Sequence, residues 1–201
     1  MDAISIIRDE HRRMGAVLDC LRHIAQDLTR VDEVPDFAAF DAIIDYMTSF
    51  PAHYHHPKEE THLFRALQAN SDRFTYALAV LRKEHEEGEA RLLKLERAVE
   101  AARQDPAGKA EALLWTVNEY VDFEGAHMRR EEKEILSEAA GALTEAQMAD
   151  LQAAFSGNED PLFGPTRQKK YDDLFKRVLS ASPQPYGFAE PWKIRHANAA
   201  A

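Results

Sequence analysis

The sequence predicts an all-α protein: an up-down-up-down four-helix bundle over residues 1–142, followed by a C-terminal extension, 143–201, made of two short helices and an extended tail packed on the bundle. Three observations lead there. Apolar residues recur every three or four positions over long stretches, Gly and Pro are scarce before residue 140, and β-branched runs are few where Ala, Leu, Glu and Arg dominate. A chain of 201 residues with 45% hydrophobic residues suits one such domain with an appendage.

Each element follows from its pattern. Ile4, Ile7, His11, Met14, Leu18, Leu21, Ala25 and Leu28 form a heptad stripe on a first helix. A second helix is expected from about Asp36 to Asn70, with Phe37, Phe40, Ile44 and Met47 inward and a bend near His55, because Pro51 and Pro57 each remove a backbone donor. A third carries the stripe Leu78, Leu81, His85, Gly88, Leu92, Leu95, Val99, Ala102. A fourth runs from about Ala107 to Ala140, with Leu113, Val117, Tyr120, His127, Glu131 and Ile135 on one face. Pro35, Asp72 and Asp105-Pro106 punctuate the joins, and loops this short suit an up-down bundle. Thr144 and Gln147 form a capping-box pattern that opens a short helix to about Phe155. A turn at Gly157–Pro161 leads to a last helix, about Thr166 to Leu179. The tail with Pro183, Pro185, Gly187 and Pro191 should lay its aromatics on the bundle.

Charge and cysteine content narrow the function classes. A formal charge of −10 argues against a nucleic-acid surface. The single cysteine, Cys20, excludes an internal disulfide framework and a cysteine-rich zinc site. It lies off the first stripe and is expected to be inert. With no signal peptide and no membrane span read at the start, a cytoplasmic location is expected. The nine histidines are the unusual feature, seven of them before residue 86.

An internal repeat organises them. Residues 54–64, YHHPKEETHLF, align with 126–136, AHMRREEKEIL, at an offset of 72. At an offset of 74, Arg8, Glu10, His11, Leu18 and Leu21 fall on Arg82, Glu84, His85, Leu92 and Leu95. The bundle thus reads as two copies of a helical hairpin related by an approximate two-fold axis. His at i and Glu at i+4 share a helix face, so His55 projects with Glu59 and His127 with Glu131, while His11 and His85 enter the same core from the other two helices.

Two carboxylates inside a bundle core would repel and lack solvent, and metal cations resolve both problems. Imidazole with carboxylate suits iron, manganese or zinc. Glu59 and Glu131 are the expected bridges between two metals, one capped by His11 and His55, the other by His85 and His127. A single core histidine or a single HxxxE is more often structural; the specificity lies in the two matched units together. His23 reads as solvated, His53 as facing away and His196 as part of the tail. His56, a quarter-turn from the ligand face, reads as peripheral or exposed, and His62 as lying near that face beyond Glu59.

A rival register uses Glu59-xx-His62 and Glu124-xx-His127 with Glu10 and Glu84, the arrangement of ferritin-like di-iron oxidases. Those units stand 65 apart while their flanks align at 72, and Glu10 and Glu84 lie beside the stripes, so the HxxxE register is preferred.

Glu10-His11, His55-xxx-Glu59-Glu60-xx-Leu63-Phe64, Glu84-His85-Glu86 and His127-xxx-Glu131-Glu132 together resemble the hemerythrin-like (HHE cation-binding) family over about residues 4–140. Asp160-Pro161-Leu162-Phe163-Gly164 is similar to an element after the bundle in some bacterial members. The resemblance implies a non-haem di-iron centre with an oxo or hydroxo bridge, two Fe ions, and His11, His55, Glu59, His85, His127 and Glu131 as ligands. Members that carry O₂ have a fifth histidine one turn before the third-helix ligand, where this chain has Leu81. That departure shifts the expectation from a dedicated O₂ carrier towards a centre that binds, senses or reacts with O₂, peroxide or NO, with Glu89 or His62 as alternatives to fill an open position. A small-ligand pocket walled by Ile7, Met14, Met47, Leu81 and Phe123 is expected. Reversible O₂ carriage, iron holding without turnover, or a structural metal bundle with a protein partner remain alternatives. A larger organic substrate is not implied.

Overall fold

The computed structural model describes residues 2–29, 37–157 and 159–181. The tail prolines, His196 and the Pro35 join lie outside the described residues. Among those described, the structure is helices joined by turns with no strand, an all-α bundle.

Helix α1 (Ala3–Asp27) begins where Asp2 accepts a hydrogen bond from the Ser5 amide, which satisfies one of the free donors of the first turn. Helix α2 is a continuous helical stretch over residues 37–70, and it is not uniformly α. Wide π-helical turns occupy Thr48–His55 and Glu59–Phe64. The sequence predicts a bend near His55; the wide turns lie on either side of it, with the His56 amide reaching back to the Pro51 carbonyl. Ser71 caps a short 3₁₀ turn that leads into α3 (Thr75–Gln104). Asp105 then caps α4 (residues 106–142) through the Gly108 amide, with Pro106 at the first helical position. A third π-helical turn, Glu132–Leu136, interrupts α4.

Cross-helix pairs give the direction of packing. Glu84 meets Arg130, Arg91 covers Phe123 and Lys94 meets Glu119, so α3 and α4 are antiparallel. Arg22–Asp122 and His11–Glu132 say the same of α1 and α4, and Arg103–Asp41 and His85–Glu60 of α2 and α3.

Helix α5 (Glu145–Phe155) opens with the capping box the sequence predicts: the Gln147 amide donates to Thr144 Oγ1, and the Thr144 amide donates to Gln147 Oε1. Asp160, almost fully buried, then accepts from the Leu162 and Phe163 amides (both 2.9 Å) and lies 3.7 Å from Arg13, which anchors the turn against α1. Helix α6 (Asp172–Ala181) packs Leu174 and Val178 into the apolar cluster of α1 and α2, while Tyr171 donates to Asp45 on α2. Cys20 is buried in this cluster with Arg177 nearby, so the face expected to lie off the packing stripe is covered; burial pushes its thiol up to about 11, an unreactive state.

Two apolar clusters fill the interior. One contains Met14, Leu18, Met47, Leu92, Val117 and Tyr120; the other contains Ile7, Leu63, Phe64, Leu78, Leu81, Ile135 and Phe155. The buried histidines and glutamates fall between them in sequence on every helix. No helix among the described residues is long and apolar enough to cross a membrane.

Candidate metal centre

His11, His55, Glu59, His85, His127 and Glu131 are all buried, each at 5% exposure or less. They come from all four bundle helices and meet in one layer. His55 Nε2 is 2.9 Å from Glu59 Oε1, and His11 Nε2 lies 3.6 Å from the same oxygen and 3.7 Å from Glu131 Oε2. His85 Nε2 is 3.7 Å from Glu59 Oε2, and His127 Nε2 is 4.0 Å from Glu131 Oε2. These nitrogens surround two carboxylates whose own groups carry no other cation. Both oxygens of Glu59, both of Glu131, and Nε2 of His11, His55 and His85 are buried with no hydrogen-bond partner. The 2.9 Å approach of His55 to Glu59 is close without being aligned for a hydrogen bond.

The opposite nitrogen of each imidazole is tied down. Nδ1 of His55 donates to Glu10 (2.7 Å), that of His85 to Glu60 (2.7 Å), that of His127 to Glu84 (3.2 Å) and that of His11 to Glu132 (3.3 Å). A carboxylate on Nδ1 fixes the tautomer with its proton there and turns Nε2 inward as the ligand nitrogen. Each bond joins a different pair of neighbouring helices: α1 to α4, α4 to α3, α3 to α2, and α2 back to α1. The repeat explains them. Glu10 and Glu84 precede the first- and third-helix histidines, and Glu60 and Glu132 follow the two buried glutamates. The sequence motifs contain all four residues, but residue type and spacing assign them no positioning role, and Glu10 and Glu84 figure there only as rival ligands. Their recurrence at matching offsets was the available signal.

Electrostatics reflect a crowded cluster. Burial opposes a charge on His11, yet Glu132 and Glu59 outweigh it and hold the imidazole up at about 9. His55 is treated the same way: burial opposes its charge, and the Glu59 carboxylate with the Glu10 hydrogen bond raises it well above the usual range. Burial, then the Glu59 charge beside it, pushes the Glu131 carboxyl up. Burial opposes the charge on Glu59 too, but His55 and His11 hold it well below the usual carboxylate range.

The other histidines sort clearly, with one departure. His53 is exposed, and His23 lies against the Asp19 carbonyl. His62 pairs at 2.7 Å with Asp150, away from the buried layer, and Glu89 is exposed. The rival register is therefore not assembled here: His62 faces α5, and Glu10 and Glu84 hold imidazole Nδ1 atoms. His56, read from the sequence as peripheral, is half-buried and stacks on His85 with ring centroids 4.0 Å apart and planes 6° from parallel. Burial, then His85 beside it, holds it well below the usual histidine range, in the neutral form. The physical reason is the π-helical turn ending at His55. A wide turn rotates the chain less per residue than the roughly 100° of an α-helix, so His55 and His56 both reach the interior.

Leu81, one turn before His85, is fully buried among apolar residues. Ile7, Met14 and Met47 are likewise buried, whereas Phe123 is half-buried under the Arg91 guanidinium. A cleft of about 290 Å³ between α1 and α4 is lined by His11, Gly15, Gly125 and Met128. A Cβ added at Gly15 would meet no atom within 4 Å.

Among the described residues, three His/Glu groups are close enough to hold a cation: His11–His55–Glu59, Glu59–His85–Glu131 and His56–His85–His127. Glu59 is common to the first two, as a bridging ligand would be. Fold and site together define a helical-bundle protein built around a buried imidazole–carboxylate cation site. The family model for the hemerythrin HHE cation-binding domain matches residues 2–139, and the chain belongs to that family. No curated protein and no solved structure gives a match.

Proposed function

We propose that this is a non-haem di-iron protein that binds, senses or reacts with O₂, peroxide or NO. Glu59 and Glu131 would serve both irons; His11 and His55 would hold one, and His85 and His127 the other. The observation that carries this reading is the pair of fully buried carboxylates with no partner on any of their four oxygens, ringed by inward imidazole nitrogens. Burying an unpaired ion costs several kcal/mol, and two neighbouring carboxylates add their repulsion, so this donor set calls for cations. Imidazole with carboxylate suits iron.

Iron held there supplies redox chemistry and a position exchangeable for a small ligand. The chain does the rest. Glu10, Glu60, Glu84 and Glu132 hold the imidazoles in the ligating tautomer. Ile7, Leu81, Met14 and Met47 exclude water above and below the polar layer. The cleft beside His11 gives a small ligand a route to that side of the layer.

The test is metal analysis after anaerobic iron loading, followed by air. Two irons per chain with a near-ultraviolet oxo-to-iron band are expected. Zinc alone, or no metal after reconstitution, overturns the di-iron reading. Rapid oxidation on air exposure marks a reactive or sensing centre, and a stable adduct marks a carrier.

A further inference from the structure

A file of aromatic rings leads from the buried layer to the edge of the bundle. His55 meets Phe50 with ring centroids 6.2 Å apart, Phe50 meets Tyr46 at 5.8 Å, and Tyr46 meets Tyr171 edge-on at 6.1 Å. All four residues are buried, at 1% exposure or less, and each gap is short for electron tunnelling. Contacts like these also pack a core, and phenylalanine would pack there as well as tyrosine. The two phenols are what packing leaves unexplained. Tyr46 is fully buried, and its hydroxyl donates at 3.5 Å to the Asp160 carboxylate. Burial, then the Asp160 and Glu10 charges, keeps that phenol protonated. Tyr171 donates to Asp45 at 2.6 Å, and the Asp45 side chain is half exposed. Each phenol therefore points its proton at a carboxylate. In that arrangement a tyrosine can lose an electron without leaving a buried charge on its ring, because the proton crosses as the electron leaves.

We propose that Tyr46 and Tyr171 are one-electron donors to the metal centre, relaying electrons through Phe50 and His55 from a reductant at the surface beside Asp45. The inference rests on the two-iron reading above. Peroxide takes two electrons, and two protons from solvent, to break its O–O bond and become two waters. Where the irons hold one electron to spare, one being Fe(II) and the other Fe(III), Tyr46 supplies the second. Its phenol becomes a neutral phenoxyl radical, and its proton passes to Asp160. Tyr171 then returns an electron to Tyr46, the Asp160 proton goes back to the Tyr46 oxygen, and the Tyr171 proton passes to Asp45. A one-electron reductant such as ascorbate restores Tyr171, which recovers its proton from Asp45.

The experiment loads the protein with iron, poises it with one Fe(II) per chain, adds one equivalent of hydrogen peroxide without air, and freezes samples from milliseconds to minutes for electron paramagnetic resonance. Wild type and a Tyr76→Phe control, at a residue 80% exposed, should give a tyrosyl radical, identified by the narrowing of its signal when tyrosine is ring-deuterated. Tyr46→Phe should lose the signal. Phe50→Leu keeps both phenols and should form the radical at least tenfold more slowly. Tyr171→Phe should keep a radical on Tyr46 that ascorbate quenches at least tenfold more slowly than in wild type. Metal analysis accompanies every sample. No radical in wild type that holds two irons would overturn the proposal and leave the di-iron reading intact. A signal that survives Tyr46→Phe would overturn it too, and Tyr54, stacked on Phe50 at 5.6 Å, is the competing donor. Fewer than two irons in wild type would overturn the two-iron reading itself.

Discussion

At the scale of single residues, the centre is a set of imidazoles whose two nitrogens have different jobs. Nε2 faces the buried carboxylates, and Nδ1 is held by Glu10, Glu60, Glu84 or Glu132. Removing such a hydrogen-bond partner typically lowers metal affinity about 10- to 100-fold. Glu10→Ala should fall in that range, and Glu60→Ala should fall less, because Glu60 is about 40% exposed and water can replace it. Chelator competition measures both, and equal retention of metal in Glu10→Ala and wild type would dismiss the positioning role. His55→Ala should lose metal while His62→Ala keeps it; the reverse outcome would restore the Glu-xx-His register. Most of this layer was legible in the sequence, because a repeated HxxxE and a histidine inside an apolar stripe are patterns of residue type and spacing. His56 was not legible. Its orientation depends on a local change of helical pitch, which residue spacing read at 3.6 per turn cannot express.

At the scale of elements, the same limit recurs. The four long helices and the capped fifth follow from periodicity, from the breaks at Pro35, Asp72 and Asp105-Pro106, and from the Thr144–Gln147 capping-box pattern. The π-helical turns do not, although they fall where the ligands are: Glu59–Phe64 and Glu132–Leu136 each directly follow or include the residue after a ligand histidine's partner glutamate. Pro51 is a sign of disturbed backbone and lies inside the first wide turn, but residue spacing does not show the change of pitch. Deleting Ser49 should return this stretch towards ordinary α pitch. Circular dichroism should then show the helical content retained while metal binding is lost; retained binding would show that the wide turn does not set the ligand geometry. Independently, Thr144→Ala removes the side-chain half of the α5 capping box, the bond from the Gln147 amide to Thr144 Oγ1, and should cost about 1 kcal/mol in thermal or denaturant unfolding.

For the whole molecule, the buried layer couples stability to pH and to metal. A histidine whose pKa is raised by folding contributes stability that is complete below its ordinary value and lost as pH climbs through the folded value. For His11 that window runs from 6.5 to about 9. His55 and Glu131, also raised, act in the same direction. The metal-free protein should therefore become less stable as pH rises through this range. Metal must displace the same protons, so its affinity should rise over the same range. Melting temperatures measured with chelator and with iron should diverge as pH increases. A gap that stays constant or closes would show that these imidazoles do not hold the metal.

The four Nδ1 bonds form a closed hoop around the bundle, and a hoop resists motions that separate struts do not. A helix that slides along its axis or rolls about it must break two rungs at once, one to each neighbour. The bundle's register is thereby locked at the height of the ligands while its ends stay free to fray. Hydrogen exchange should find the slowest amides in the turns that carry Glu10, Glu60, Glu84 and Glu132, and cutting any one rung should loosen all four helices there, including the pair it never joined.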